Sequence, residues 1–160
     1  MTGREFCKAR TILAIAVSLS ASFSFAQTAH ADLGPIVQAT GNWEIHRSQD
    51  SMTDEVLCTG TLKDSPSVQL NSGKMYVIVR GGPQGYRVRV DNNAPSGMRL
   101  VNDIDRQVGA IELSQDLQTI LDGHRLRLSV VTYLGERDFD LNITGATQAE
   151  DFIVTSPKCQ

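Results

Sequence analysis

Any chemistry in this 160-residue chain must come from a short inventory: three cysteines, three histidines, and arginines that recur two apart. Arg87 and Arg89 form one such pair, Arg125 and Arg127 another. A spacing of two puts both side chains of a pair on one face of a strand. Guanidinium groups grip carboxylate or phosphate bidentately, so an anion-binding patch is the functional reading of these four residues. Asp138 and Asp140 repeat the same spacing. A solvated face of exposed ion pairs, each worth under ~1 kcal/mol, accounts for the pattern too and is favoured on sequence alone.

The remaining motifs argue against catalysis. His46 and His124 each stand alone, without the HxxxH or HExxH spacing that sets two imidazoles on one helical face. No GxSxG turn, phosphate loop or Cys-x-x-Cys occurs. Gly81-Gly82-Pro83-Gln84-Gly85 is glycine-rich, but its proline removes a donor that a phosphate cradle would use, and no Lys-Ser/Thr follows. Asp138-Phe139-Asp140-Leu141-Asn142 opens like a calcium loop, yet Ile143 stands where the sharp turn wants Gly and Ala149 where Glu is needed. One face of a strand explains the same alternation. Asn142-Ile143-Thr144 is a glycosylation triplet, with meaning only in a eukaryotic secretory pathway. Asp54, Glu55, Asp91, Asp103 and Asp105 fall in expected turns, far from a positioned acid–base pair. No enzyme activity, cofactor or metal is expected.

The N-terminus reads as an export signal. Arg4, Lys8 and Arg10 precede an uncharged apolar run over residues 12–25, and Ala29-His30-Ala31 is a small-x-small cleavage site. Ser24-Phe25-Ala26 is a second. The 14-residue run is shorter than the ~20 residues of a membrane span. Cys7 precedes the apolar run and so is no lipobox cysteine. Cleavage after Ala31 leaves a single domain over 32–160 with twelve basic and seventeen acidic residues, a net charge of −5. That balance excludes general nucleic-acid binding. The mature chain is expected to be soluble, and to be periplasmic or secreted, most simply in a Gram-negative bacterium. It keeps two cysteines, Cys58 and Cys159, which in an oxidising compartment have one possible pairing.

Period-two alternation must position these residues. Trp43, Ile45 and Arg47 alternate with Glu44, His46 and Ser48, and 56–62 is a second strand carrying Cys58. The β-branched run 75–80 reads as a central strand, 81–85 as a turn, and Tyr86, Val88 and Val90 as the inner face of a strand whose outer face holds Arg87 and Arg89. Asp91-Asn92-Asn93-Ala94-Pro95 is turn chemistry. Ser114 is placed to cap a helix through Leu117, Ile120 and Leu121, closed by a left-handed Gly123. Ala149, Phe152 and Ile153 mark a last helix that Pro157 stops. Between the two helices lies a hairpin: Leu126, Leu128, Val130 and Thr132 against Phe139, Leu141 and Ile143. Closing Thr132 on Arg137 pairs Leu128 with Leu141 and sets Arg125, Arg127, Ser129 and Val131 outward with Asp138, Asp140 and Asn142. The expected fold is mainly β, an antiparallel sandwich or barrel with one or two short helices.

Gly41-Asn42-Trp43-Glu44-Ile45, the cysteine strand, Ala110-Ile111-Glu112-Leu113, the Gly123-closed helix and Phe139-Asp140-Leu141-Asn142-Ile143-Thr144-Gly145 occur in an order that resembles the small periplasmic invasion-associated locus B proteins, over most of residues 41–154. The resemblance implies a β-sandwich linked to host-cell invasion and without known catalytic residues. The chain departs from that pattern in lacking a second, mid-domain cysteine pair. Trp43 with Ser51-Met52-Thr53-Asp54 is also similar to periplasmic proteins associated with type VI secretion. Ser72-Gly73-Lys74-Met75-Tyr76 resembles the Ser-Gly-x-x-Tyr loop of periplasmic lysozyme inhibitors, which would give Ser72, Gly73 and Tyr76 a binding role; a turn leading into a strand explains it equally. The expected function is a binding module for a protein or envelope component, presented by loops 51–55, 72–74 and 81–85. Lysozyme inhibition is the alternative.

Overall fold

The computed structural model describes residues 33–160; the expected export signal, Cys7 and both expected cleavage sites lie outside them. Ten strands form two antiparallel sheets. Ile36–Thr40 (β1), Trp43–Gln49 (β2), Val56–Leu62 (β3), Ser65–Asn71 (β4), Lys74–Ile78 (β5) and Ala110–Glu112 (β8) make a six-stranded sheet in the order β1-β2-β3-β4-β5-β8. Pro83–Val90 (β6), Arg99–Leu100 (β7), Arg125–Thr132 (β9) and Gly135–Asn142 (β10) make a four-stranded sheet in the order β10-β9-β6-β7. Neither closes into a barrel, so of the two expected architectures the open, two-sheet one holds. The helices are Asp103–Val108 (α1), Leu117–Leu121 (α2) and Ala146–Thr155 (α3).

Alternation builds the core. Trp43, Ile45, Leu70, Met75, Val77 and Ile111 of the larger sheet, Val88, Leu126, Leu128 and Val130 of the smaller, and Ala146, Ala149 and Ile153 of α3 bury their side chains in one cluster. Each fully buried large aliphatic contributes ~1.5–3 kcal/mol. The helix α3 lies against the first four strands. Gly60 makes room for it, since a Cβ there would already touch Ile153 Cδ1 at 3.4 Å. The chain also crosses itself closely. Gly41 (φ 53°) and Gly145 (φ 95°) pass so near that a Cβ on Gly145 would lie 2.9 Å from the Thr40 carbonyl oxygen. Around the crossing, Asn42 N–H donates to Thr144 O (2.9 Å) and Trp43 Nε1–H to Ile143 O (3.1 Å). The Gly-Asn-Trp and Asn-Ile-Thr-Gly motifs are thus the two halves of one backbone contact.

Several expectations need correction. The β9–β10 hairpin turns on Tyr133 and Leu134, with Gly135 opposite Thr132 and Leu141 opposite Leu126. The register differs from the expected one by two residues, an even shift that leaves every side chain on its expected face. Thr132 Oγ1 bonds Gly135 O (2.8 Å) and the Leu134 N–H (3.1 Å), favouring the tighter turn. Ser114 opens a 3₁₀ turn and caps nothing. Gly123 is not left-handed; it is glycine because a Cβ there would collide with Val90 Cγ1. The 81–85 turn is only Gly81 and Gly82, because Pro83 is buried and begins β6. The 75–80 run is flanked by strands on both sides, but only alternate residues are covered and Ile78 is exposed. Asp103 and Asp105 sit in α1, which sequence periodicity did not reveal. The Asn102 side chain caps that helix by accepting from Asp105 N (2.8 Å), and Gly109 (φ 69°) ends it.

Candidate functional site: the arginine face of the four-stranded sheet

Strands β6, β9 and β10 place the expected arginines together on the outer face. Their register forms two cross-strand rows: Arg89, Arg127 and Asp140 in one, Arg87, Ser129 and Asp138 in the next. Arg125 stands beside the first row, opposite Asn142. These side chains, with Pro95 from the loop after β6, line a cleft of about 390 Å3; only Arg125 and Asn142 lie outside it.

The ion pairing within the rows is uneven. Asp140 is opposite Arg127 but is taken diagonally by Arg125, which grips both carboxylate oxygens, Nε to Oδ1 at 2.6 Å and Nη2 to Oδ2. The bond to Arg125 holds the Asp140 carboxyl below its ordinary range and raises the guanidinium of Arg125. Arg127 instead donates from Nη2 to the Asp91 carbonyl at 2.5 Å. Asp91 sits at φ 50°, and its carboxylate accepts from the backbone N–H of His124 (3.1 Å) and Arg125 (2.8 Å), which ties the start of β9 to the end of β6. Arg87 has only a loose contact with Glu136 at 3.9 Å. The side chains of Arg89 and Asp138 make no hydrogen bond or ion pair with any described residue. The Nε–H groups of Arg89 and Arg127 are both buried without an acceptor. Like charges directly opposite on adjacent strands are destabilising, and so is a buried donor left unsatisfied. Solvated ion pairs therefore explain Arg125 but not Arg89.

The other expected residues do not converge on this face. Ser72 and Gly73 (φ 73°) are the exposed tip of the β4–β5 hairpin, where the Gly73 N–H donates to Glu150 of α3 (2.5 Å). Tyr76 lies inside the sheet, between Gln69 and Glu112 on its outer face, and not at the loop edge the motif suggested. Gly81 and Gly82 pack beneath Leu134 and Tyr133 instead of projecting freely. The 51–55 loop is shaped by Asp50, whose carboxylate accepts from Met52 N (2.7 Å) and Thr53 N (3.1 Å); these bonds lower its pKa. His46 spans Gly34 O (3.1 Å) and Thr61 Oγ1 (3.2 Å) in a part-buried, architectural position. Asp138, Asp140 and Asn142 are one face of β10, as the strand reading required.

Cys58 and Cys159 are joined, with Cα atoms 5.4 Å apart. The bridge pins the 3₁₀ turn Pro157–Cys159 to β3, and Arg47 Nε donates to Lys158 O (2.9 Å) beside it. Sequence reasoning missed the pairing of Arg99 with both carboxylate oxygens of Asp116, which fastens β7 to the 3₁₀ turn before α2; the separation of 17 residues carries no periodic signal. No protein-family model, curated protein or solved structure matches the chain.

Proposed function

We propose that the chain is an exported, non-enzymatic binding module of the periplasm or cell envelope, in the manner of the invasion-associated locus B proteins it resembles, and that it docks its partner on the outer face of the four-stranded sheet. The observation that carries this reading is Arg89: a cation near the end of β6, opposite another arginine, lining a cleft, with a side chain bonded to no described residue. A residue that works against stability is explained when its partner lies outside the fold. The rigid three-strand platform beneath it suits recognition, because the side chains of a sheet are held more accurately than those of a loop.

A photo-crosslinking residue introduced at Val131, which is on the same face and 37% exposed, tests the reading in cells. The expected result is one discrete adduct, absent when the probe sits at exposed Thr119 and lost with Arg89→Met. Equal adducts from both positions would refute the assignment. Lysozyme inhibition that is abolished by Ser72→Ala and indifferent to Arg89→Met would move the function to the 72–73 hairpin tip.

A further inference from the structure

We propose that the cleft over β6, β9 and β10 binds an oxyanion between Arg89 and Arg127, on a ligand whose hydroxyl or ammonium group donates to Asp138. The inference rests on the docking-face reading and adds the chemistry of what is held. Arg89 and Arg127 are directly opposed across β6 and β9, and both line the cleft. Each carries a buried Nε–H without an acceptor. Those Nε–H groups are closed to solvent and so to a ligand; what the cleft offers is the Nη edge of Arg89 and Nη1 of Arg127, which are neither buried nor bonded. A carboxylate or phosphate supplies at least two oxygens in the required fork and removes the repulsion between the guanidinium groups.

The charges around the cleft decide the kind of anion. Arg87, Arg89 and Arg127 face Asp138 and Asp140 across it, with Glu136 and Arg125 just beyond. Asp140 is already committed to Arg125, and Glu136 accepts from Ser129 Oγ (2.6 Å). Asp138 alone among these acids is free. A long polyanion would be repelled by the carboxylates of β10, whereas a compact group that presents an oxyanion to β6–β9 and a donor to β10 meets both sides. The volume of about 390 Å3 is at the small end of ligand clefts. A sugar acid or a polyol phosphate has this chemistry, free or as the end of a larger envelope polymer.

The test follows the Arg Nε–Hε resonances of the mature protein during titration with glucuronate in one arm and glycerol 1-phosphate in the other. Saturable shifts of Arg89 and Arg127 with glucuronate alone assign a carboxylate source, and with glycerol phosphate alone a phosphate source; either result supports the site. Arg89→Met should weaken binding by about tenfold or more without lowering the melting temperature. Asp138→Asn should weaken the hydroxyl-bearing probes relative to inorganic phosphate or acetate, which gain from the lost carboxylate charge. No saturable shift with either probe, or binding that survives Arg89→Met, overturns the assignment. If the probes bind and the cellular crosslink never forms, the oxyanion site stands and the macromolecular partner falls. If the crosslink forms and neither resonance moves, the oxyanion site alone falls.

Discussion

Breaking the Cys58–Cys159 bridge tests how the fold is closed. The bridge spans a sequence separation of 101 residues, about four-fifths of the 128 described. In the chain-entropy model a crosslink over a loop of that length removes on the order of 4–5 kcal/mol of unfolded-state freedom, and compactness of the real unfolded chain makes this an upper figure. With ~2.1 cal/mol/K of unfolding entropy per residue, the 128 described residues convert that loss into a fall in melting temperature of roughly 15–19 °C. The native contacts nearby should survive: Ile153, Ala149 and Ala146 keep α3 in the core, and Arg47 still reaches Lys158 O. The assay is urea unfolding followed through Trp43, the only tryptophan and fully buried. Oxidised wild type, reduced wild type and the Cys58→Ala/Cys159→Ala double variant would be compared. The two uncrosslinked forms should agree and lie well below the oxidised protein, with an unchanged native spectrum. A deficit below ~1 kcal/mol would refute the reasoning, because the loop-closure entropy would then not be what the bridge removes.

Two positive-φ glycines should separate conformational strain from collision: Gly73→Ala, whose Cβ meets nothing within 4 Å, should cost about 1 kcal/mol, whereas Gly145→Ala also meets the Thr40 carbonyl and should cost clearly more in the same denaturation assay. Gly123→Ala, directed into Val90, should destabilise by about 1–3 kcal/mol and disturb the amide resonances of both α2 and β6. Desolvation raises the pKa of Glu150 above its ordinary 4.5, so the acid's contribution is fully present below that value and is lost as pH rises through the higher, folded-state pKa. Glu150→Gln keeps an oxygen for the Gly73 N–H, and should melt above wild type at neutral pH with the gap closing under acid; a gap independent of pH would contradict the desolvation account.

Most strands with a covered face were legible because covering imposes alternation: Trp43 and Ile45, Tyr86 to Val90, and Leu126 to Thr132 all read correctly from their own residues. Of the elements that escaped, β4 carries the same alternation in Val68 and Leu70, and the others lack it or are too short to show it. Among them α1 buries no residue at all, so Asn102, Asp105 and Gly109 were its only marks, and β1 is mostly exposed. Turn length was invisible for a related reason. An even shift of the β9–β10 register preserves both faces, and the choice fell to Thr132 Oγ1, a bond that no hydrophobic pattern encodes. The arginine face was legible as a face and not as a site. Alternation placed Arg87, Arg89, Arg125 and Arg127 outward, but which acid each would reach depended on the diagonal Arg125–Asp140 contact and on the Asp91 carbonyl that draws Arg127 aside. That diversion leaves Arg89 alone, and only three-dimensional pairing could reveal it.

The most direct test of the proposed binding face is the melting temperature of wild type and Arg89→Met, each measured with and without saturating glucuronate or glycerol 1-phosphate. Methionine retains an apolar stem while removing the orphaned donor and the repulsion with Arg127, so the variant should melt at or above wild type in plain buffer. The ligand should then raise the melting temperature of wild type alone, because only a native state that binds is stabilised by mass action. A variant that melts well below wild type without ligand, or that gains as much from the ligand as wild type does, would contradict the account.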